Sequence, residues 1–242
     1  MLKPVYQRIL LKISGEALAG GTGFGIMPNV IQGLAAELKE TTEMGVQTAM
    51  VIGGGNIFRG IRADDYGLDR VSADHIGMLA TVLNSIAFRG ALLNHGVPAV
   101  VLSAIPIGTM VEPYNAEKAV GYLNEGKVVI MAAGTGNPFF TTDTAAALRA
   151  LEVRADALFK GTKVDGIYDS DPVTNPTARR FNRLTYDRAL ALNLKVMDTT
   201  AISLAKDGDL RVVVFDLTTP GNLVKIITGS DIGTVVRREE SD

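Results

Sequence analysis

A stretch rich in glycine and hydroxyl side chains lies near the middle of the chain, directly after a fully apolar run. The apolar run is Val128 to Ala133, the polar stretch is Gly134 to Asp143, and a helical pattern follows from Ala146. Backbone N–H groups at the start of a helix lack partners, and the helix dipole favours negative charge there. This order of buried strand, glycine turn and helix start predicts a binding site for a phosphate or a nucleotide.

The same order recurs at two earlier places. Lys12 lies at the end of an apolar run and is followed by Ser14 and Gly15, and a glycine triplet, Gly53 to Gly55, follows another apolar run. A buried lysine needs a partner for its charge, so Lys12 either faces phosphate groups or lies on an edge strand and reaches water. Ser14 and Gly15 directly after it favour the phosphate. Three successive glycines allow a ligand to come close, and Arg59 is near enough to bind a phosphate.

Several other polar residues have a simpler structural explanation. Side chains typical of helix caps occur at Asp74, Thr141, Thr142, Asp143 and Asp198. The glycine-dense segment Gly20–Gly25 is either a flexible loop or a second anion site. The polar segment Asp165–Arg183 is predicted to be a long loop. The best-known nucleotide fingerprints are absent, because no G-x-x-x-x-G-K-[ST] motif occurs and the glycine triplet lacks the third glycine of G-x-G-x-x-G.

The composition excludes several classes of protein and site. The chain has 242 residues, 47% of them hydrophobic, and a formal net charge of −2. It has no cysteine and only two histidines, so disulfides and thiolate or histidine-rich metal sites are ruled out. Because no basic run occurs, a nucleic acid polymer is a poor candidate for a partner. No uninterrupted apolar run reaches the ~18 residues of a membrane span, so we expect a soluble, cytoplasmic protein without membrane contact.

Short apolar runs alternate with helical patterns along the chain. Most of the apolar runs are continuous rather than alternating, which is typical of strands covered on both faces. The predicted strands are 8–13, 46–52, 99–104, 127–132, 157–160 and 211–215. Helical patterns run from Pro28 to Gly45, from Asp74 to Asn94 and onward from Pro220. This alternation predicts an α/β fold with a largely parallel sheet and helices on both faces.

Five segments together resemble the bacterial uridylate kinases, which belong to the amino acid kinase superfamily. The segments are Lys12–Leu18, Gly53–Gly60, Asp74–Thr81, Thr135–Asp143 and Lys160–Tyr168. They occur in order and with suitable spacing, and the likeness covers essentially the whole chain. The combination of G-N-P-F-F-T-T-D with D-H-x-G-M-L-A-T is specific, because generic members of the superfamily do not carry both.

The resemblance implies phosphoryl transfer from ATP, with Mg²⁺ as cofactor, to UMP, giving UDP and ADP in pyrimidine nucleotide biosynthesis. It implies a three-layer α/β/α sandwich and a cytoplasmic homohexamer. It also implies one domain over residues 1–242, with UMP bound mainly by about 1–150 and ATP mainly by about 151–242. It leaves open whether GTP activates or UTP inhibits this chain. The segment that the family associates with GTP comprises Gly20, Gly21, Thr22, Gly23, Phe24 and Gly25.

The resemblance also implies roles for individual residues. The catalytic group comprises Lys12, Asp143 and Asp198. The ATP-facing group comprises Lys12, Ile13, Ser14, Gly15, Gly55, Arg59, Thr162, Tyr168 and Asp171. The UMP-facing group comprises Gly54, Asp74, Thr135, Gly136, Asn137, Pro138, Phe139, Phe140, Thr141 and Thr142. No residue is assigned to a resident metal, because the resemblance implies that ATP carries the Mg²⁺.

Two other functions stay open at this point. Another kinase of the superfamily would phosphorylate a carboxylate such as that of acetylglutamate, glutamate or aspartate, and would call for an arginine-lined acceptor pocket. A non-catalytic nucleotide- or oxyanion-binding protein could share the fold. Such a protein would not need a lysine like Lys12 at the point of transfer.

Overall fold

The computed structural model describes residues 3–58, 67–172, 174–194 and 196–239. Its strands are β1 (Arg8–Ile13), β2 (Gln47–Ile52), β3 (Ala99–Ser103), β4 (Glu112–Pro113), β5 (Val128–Ala132), β6 (Ala157–Thr162), β7 (Ile167–Tyr168), β8 (Arg180–Phe181), β9 (Arg183–Thr185), β10 (Arg211–Asp216) and β11 (Thr234–Arg237). Its helices are α1 (Gly15–Leu18), α2 (Pro28–Glu43), α3 (Arg70–Asn94), α4 (Ala116–Asn124), α5 (Thr142–Glu152), α6 (Tyr186–Ala191), α7 (Thr199–Asp207) and α8 (Asn222–Ile227).

One nine-stranded sheet organises the described residues, in the strand order β4-β3-β5-β2-β1-β6-β10-β11-β9. Neighbouring strands run parallel, except for the antiparallel pair β10 and β11. β1 lies in the middle of this sheet, between β2 and β6. Lys12 is therefore on a central strand, and the alternative that placed it on an edge strand is wrong.

Helices cover both faces of the sheet. Along β1, Ile9, Leu11 and Ile13 contribute to a core shared with α2, α3 and α8, whereas Leu10 contributes to a core shared with α4, α5, α6 and α7. This alternation follows from the two-residue period of a strand. The predicted three-layer α/β/α sandwich with a largely parallel sheet is confirmed.

The six predicted strands are all present, with ends that differ by at most two residues. The short strands β4, β9 and β11 escaped prediction because two to four residues carry too little apolar pattern. The prediction of a plain loop over Asp165–Arg183 is wrong in part, because β7 and β8 form a small antiparallel ribbon there.

α3 is the longest helix and begins earlier than its apolar pattern indicated. Its N-cap is Asp69, whose carboxylate accepts a hydrogen bond from the Ser72 N–H at 3.0 Å, so the interpretation of Asp74 as a cap is wrong. Among the described residues, α3 alone has the length and composition that a membrane span would need. Half of its most apolar stretch is buried inside the molecule, and its buried polar side chains bond to neighbouring turns, as in a core helix.

Candidate active site

Two lysines and one aspartate form a charged cluster at the carboxyl edge of the sheet. Lys12 Nζ lies 2.9 Å from Asp143 Oδ1, and Lys160 Nζ lies 2.7 Å from Asp143 Oδ2. The two lysine side chains are only 11% and 15% exposed. Lys160 Nζ also donates to the Val196 carbonyl. The ammonium groups are thus held at fixed positions instead of reaching into bulk water.

Strand register explains why the two lysines meet. Lys12 on β1 is paired directly with Lys160 on β6, and both side chains follow the alternation toward the α5 side of the sheet. Asp143 lies in the first turn of α5, which packs on that side. Like charges directly opposite each other repel. The Asp143 carboxylate between the two ammonium groups therefore compensates both.

The environment of the cluster lowers the pKa values of both Asp143 and Lys160. Burial acts to raise the pKa of Asp143, but the charges of Lys12 and Lys160 outweigh it, and the pKa lies below its ordinary value. Burial is also the main cause that lowers the pKa of Lys160; the charge of Lys12 acts in the same direction and Asp143 opposes it. Asp143 is therefore ionised at neutral pH and is a poor proton acceptor there.

Asp198 joins the start of α7 to the start of α5. It caps α7 by accepting a hydrogen bond from the Ala201 N–H at 2.9 Å, so its interpretation as a helix cap is confirmed. The same carboxylate accepts hydrogen bonds from the hydroxyls of Thr141 and Thr144. Thr141 in turn caps α5, accepting from the Asp143 and Thr144 N–H groups. These bonds hold the helix turn that carries Asp143.

The glycine triplet packs closely against both α1 and α3. A Cβ on Gly15 would lie 2.6 Å from the Gly55 nitrogen, and a Cβ on Gly54 would lie 2.8 Å from the Ala80 Cβ. Side chains larger than hydrogen do not fit at these two positions. The buried Asn84 of α3 donates to the Gly53 carbonyl at 2.7 Å, which fixes the turn from behind.

A cavity of about 250 Å³ opens between the glycine triplet, α3 and the loop after β5. Its lining includes most of the residues predicted to face UMP, namely Gly54, Asp74, Thr135, Asn137, Phe140, Thr141 and Thr142. Gly55, predicted to face ATP, lines it as well. Residues from separate parts of the sequence thus meet at one crevice, outside the carboxyl ends of the parallel strands, where such sheets bind ligands.

Asp74 lies at the wall of this cavity and already has two partners. Its Oδ2 accepts from Arg70 Nε at 2.8 Å and from the Phe139 N–H at 2.7 Å. The Arg70 guanidinium also lies 5.5 Å from the centre of the Phe139 ring. Phe139 adopts a φ of 71°, unusual for a residue with a side chain. Asp74 therefore helps to hold the loop from Gly134 to Thr141 in place.

The residues predicted to face ATP lie along the neighbouring strand ends. Ile13 is level with Ile52 of β2 and Gly161 of β6, so Ser14 and Thr162 follow from adjacent ends of the sheet. The hydroxyl of Thr162 donates to the Val164 carbonyl at 2.6 Å. Farther along, the Tyr168 hydroxyl donates to Asp165 Oδ1 at 2.6 Å. Asp171 is exposed and lies in the segment between β7 and β8. Arg59 lies outside the described residues.

The glycine-dense segment is bonded to the turn after β2. The Gly25 N–H donates to the Asn56 carbonyl at 2.9 Å, and the Asn56 side chain donates back to the Gly25 carbonyl at 2.7 Å. Phe24 beside it is largely exposed. The segment from Gly20 to Gly25 is thus a surface loop with one end held next to the glycine triplet.

Sequence reasoning missed three residues of this site. Lys160 was part of a motif but had no role, and Arg70 and Thr144 were not singled out. For Lys160 a signal was available, because a lysine at the end of the apolar run 157–160 raises the same question as Lys12. For Arg70 and Thr144 the sequence offers no comparable signal, since an arginine and a threonine on helices are ordinary residues.

Comparisons with known proteins agree with this geometry. Residues 7–216 match the model of the amino acid kinase family. The uridylate kinase of Bartonella henselae is 53% identical over 231 residues, covering 96% of this chain and 97% of that protein. Among solved structures, the UMP kinase of Bacillus anthracis has a TM-score of 0.95 at 38% identity, covering 98% of both chains. The UMP kinase of Ureaplasma parvum has a TM-score of 0.91 at 37% identity, covering 98% of this chain and 100% of the other.

These matches extend over nearly the whole chain, and their identity is far above the range in which only a fold is shared. The family resemblance inferred from the motifs is confirmed, as is the expectation of a kinase. The chain therefore belongs to the amino acid kinase family and, within it, to the uridylate kinases.

Proposed function

We propose that this chain transfers the γ-phosphoryl group of ATP to UMP, giving UDP and ADP. The observation that carries the proposal is the Lys12–Asp143–Lys160 cluster, which lies beside the cavity lined by Asp74 and the loop after β5. Phosphoryl transfer depends on positioning and on neutralising charge more than on a covalent intermediate with the protein. Two fixed ammonium groups and a set of glycine N–H groups supply that neutralisation.

In this mechanism Asp143 orients cations and does not abstract a proton. Its pKa is lowered, whereas a general base that works near neutral pH would need a raised one. The phosphate of UMP is already an anionic nucleophile at neutral pH, so no strong base is required. Lys12 and Lys160 would bind the oxygens of the transferred group, and holding donor and acceptor in line would itself accelerate the reaction.

The donor set near the cluster suits a Mg²⁺ ion that arrives with ATP. Both Asp143 oxygens are paired with lysines, and Asp198 is bonded to two threonine hydroxyls and a backbone N–H. The phosphate oxygens of ATP and water would therefore provide most of the ligands, as is usual for Mg²⁺. When bound, the ion would neutralise developing charge on the phosphates.

We assign the two nucleotides to adjoining parts of the strand edge. UMP would occupy the cavity between α3 and the loop after β5, with Asp74 reaching the ribose hydroxyls. ATP would lie across the ends of β1 and β6, along Ser14, Gly15 and Thr162 and toward Tyr168. This assignment puts UMP on residues 1–150, whereas ATP would contact Ser14 and Gly15 as well as residues of 151–242, with Lys12 between the two nucleotides.

We also propose that the chain forms a homo-oligomer through α3. Apolar residues exposed along one face of this helix are spaced by about one or two helical turns, at Leu79, Leu83, Ile86 and Leu93. A stripe of this kind suits the same helix of a second copy, because a two-fold axis lets the same apolar patch on each copy cover the other. A hexamer, a GTP-binding role for Gly20–Gly25, inhibition by UTP and a cytoplasmic location stay predictions from the resemblance.

The chemistry of the cavity disfavours a carboxylate as acceptor. In the part of the chain that the structure describes, Arg70 is the one basic residue in the cavity lining, and it is paired with Asp74. A small dicarboxylate would need unpaired arginines to bind it. A protein that only binds nucleotides would have no use for two buried lysines whose charges must be compensated.

An acceptor screen tests the proposal directly. The purified chain is mixed with Mg-ATP and, separately, UMP, CMP, GMP, acetylglutamate, glutamate or aspartate, and ADP release is followed in a coupled assay. We expect turnover with UMP and little with the others. Repeating the screen with added GTP or UTP tests regulation. ADP release with a carboxylate but not with UMP would overturn the proposal, as would UMP binding without any ADP release.

A further inference from the structure

Arg149 is a buried arginine on α5 whose side chain ends at the start of the loop Gly134–Thr141, called here the UMP loop because it lines the proposed UMP cavity. Its side chain is only 6% exposed, and its Nη1 donates to Glu152 Oε2 at 2.7 Å. Its Nη2 donates to the Gly134 carbonyl at 3.3 Å. Its guanidinium carbon lies 3.9 Å from the centre of the Tyr114 ring. Arg149 does not line the cavity, and the proposed mechanism does not use it.

The surroundings keep this guanidinium in one place. The Tyr114 hydroxyl donates to the same Glu152 oxygen, and the Tyr114 N–H donates to the Ser103 carbonyl at the end of β3. Burial and the bond to Glu152 raise the pKa of Tyr114 well above its ordinary range, so it stays a donor. A buried charge that is stacked on a ring and paired with a carboxylate has little freedom to move. Its Nη2 is therefore aimed at the Gly134 carbonyl.

That carbonyl belongs to a strained turn. Ala133 and Gly134 have φ values of 62° and 61°, and a left-handed alanine costs on the order of 1 kcal/mol. The Ala133 N–H donates to the Thr81 hydroxyl of α3 at 2.8 Å. The turn is thus held from α3 through Thr81 and from α5 through Arg149. The residues directly after it form the wall of the UMP cavity.

We propose that Arg149 is a positioning residue for the acceptor nucleotide: it holds the strained Ala133–Gly134 turn in the shape that forms the UMP cavity. The inference rests on the proposed function and adds to it a residue that no ligand would touch. Its effect should be on UMP binding, since Lys12 and Lys160 lie on other elements and the first turn of α5, which carries Asp143, is held by Asp198. The ATP side of the site should be unaffected.

The Arg149→Lys variant tests this role. Lysine keeps the charge and can pair with Glu152, but its single ammonium cannot also reach Gly134 in the manner of the planar guanidinium. We expect KM for UMP to rise about tenfold, with kcat and KM for ATP changed by less than about threefold. Calorimetry without ATP should show the same tenfold weakening of UMP binding.

Arg8→Lys is the matched control. Arg8 also donates to a backbone carbonyl, that of Val153, at 2.5 Å, and to Gln47 at 2.7 Å, but it starts β1, at the opposite edge of the sheet. We expect a loss of thermal stability in both variants and a change in KM for UMP only in Arg149→Lys. Adding Ala133→Gly to Arg149→Lys removes the left-handed strain and should restore most of the UMP affinity.

An unchanged KM for UMP in Arg149→Lys would overturn the inference, as would an equal rise in Arg8→Lys or a rise that Ala133→Gly leaves untouched. If Arg149→Lys does not fold, Tyr114→Leu removes the ring under the guanidinium, and normal UMP affinity in that variant would equally refute the inference. Wild-type chain that makes no UDP from UMP would instead refute the proposed function, so the two failures are distinguishable.

Discussion

At the scale of single residues, the central feature is one carboxylate between two ammonium groups. Lys12 and Lys160 come from adjacent strands and would repel each other without Asp143. Because each lysine is mostly buried, its charge is weakly screened and acts strongly on a nearby phosphate. Asp143 therefore has a double effect: it stabilises the fold and holds the lysines where the transferred group would pass.

Removing the Lys12 amine should affect catalysis more than binding. We expect Lys12→Ala to lower kcat by about 100-fold or more, the usual loss for one charge-stabilising donor, with KM for UMP changed only a few-fold. Steady-state kinetics with UMP and Mg-ATP varied in turn will check this. The control is Lys39→Ala, since Lys39 lies on α2 with an exposed side chain. An unchanged kcat in Lys12→Ala would exclude the lysine from the reaction.

Asp143→Asn should destabilise the fold in a pH-dependent way. The variant leaves two buried ammonium groups without their carboxylate, which costs roughly 3 kcal/mol at neutral pH. Because the folded-state pKa of Asp143 lies below its ordinary value of 3.8, its stabilisation is fully present above that value. It is lost as the pH falls through the lowered folded-state pKa. Urea unfolding of both proteins from pH 7 to pH 3 should show the difference shrinking only at the acid end; a constant difference would contradict the ion-pair origin.

At the scale of elements, α3 links the two halves of the site. Its buried face fixes the glycine turn through Asn84 and the turn after β5 through Thr81. Its first turns present Arg70 and Asp74 to the cavity. One rigid helix therefore sets the distance between the glycine triplet and the UMP loop. The loops carry the chemistry, but the helix determines where they lie.

Asn84→Ala should loosen the glycine turn as well as reduce stability. The change leaves the Gly53 carbonyl and the Asn56 side chain without a buried donor, which costs about 1–3 kcal/mol. We expect kcat/KM to fall about tenfold or more. Thr41→Ala is the control, because Thr41 is also buried and donates to a backbone carbonyl, that of Glu37, within α2 and outside the site. Equal kinetic losses in both variants would mean that only general stability was affected.

At the scale of the whole molecule, the strand order of the sheet brings the residues of the site together. The ends of β5, β2, β1 and β6 lie side by side, and each is followed by a segment of the site. The outward face of α3 remains apolar although its inner face is already packed. Both features suit an enzyme whose crevice is built within one chain and whose α3 packs on a second copy.

Charge placed in the α3 stripe should break the assembly. We expect wild-type chain to be larger than its 25.7 kDa monomer in light scattering coupled to gel filtration, and Leu83→Glu to shift it toward smaller species. Leu192→Glu is the control, since Leu192 and Leu83 are about equally exposed, at 50% and 55%. Leu192→Glu should keep the wild-type mass. A monomeric wild type, or equal masses for all three proteins, would contradict an interface on α3.

Much of the fold could be predicted from the chain because its signals are local. The continuous apolar runs identified the central strands, and Pro28 and Gly45 bounded α2, with Gly45 at a φ of 82°. The motifs identified the family, since they depend on residue order alone. The short strands β4, β9 and β11 and the β7–β8 ribbon could not be predicted in this way, because strands of two to four residues carry too little apolar pattern.

The sequence alone determined the α/β class, the family and the segments that follow the strands, because periodicity, turn residues and motifs act over a few residues. Only the tertiary structure determined which residues of those segments contact one another. It paired Lys160 with Lys12 across β1 and β6, put Asp143 between them, and directed Arg149 to the Gly134 carbonyl. These relations depend on strand register and helix packing, which bring Lys12 to residues more than a hundred positions away and aim Arg149 at a carbonyl 15 positions before it.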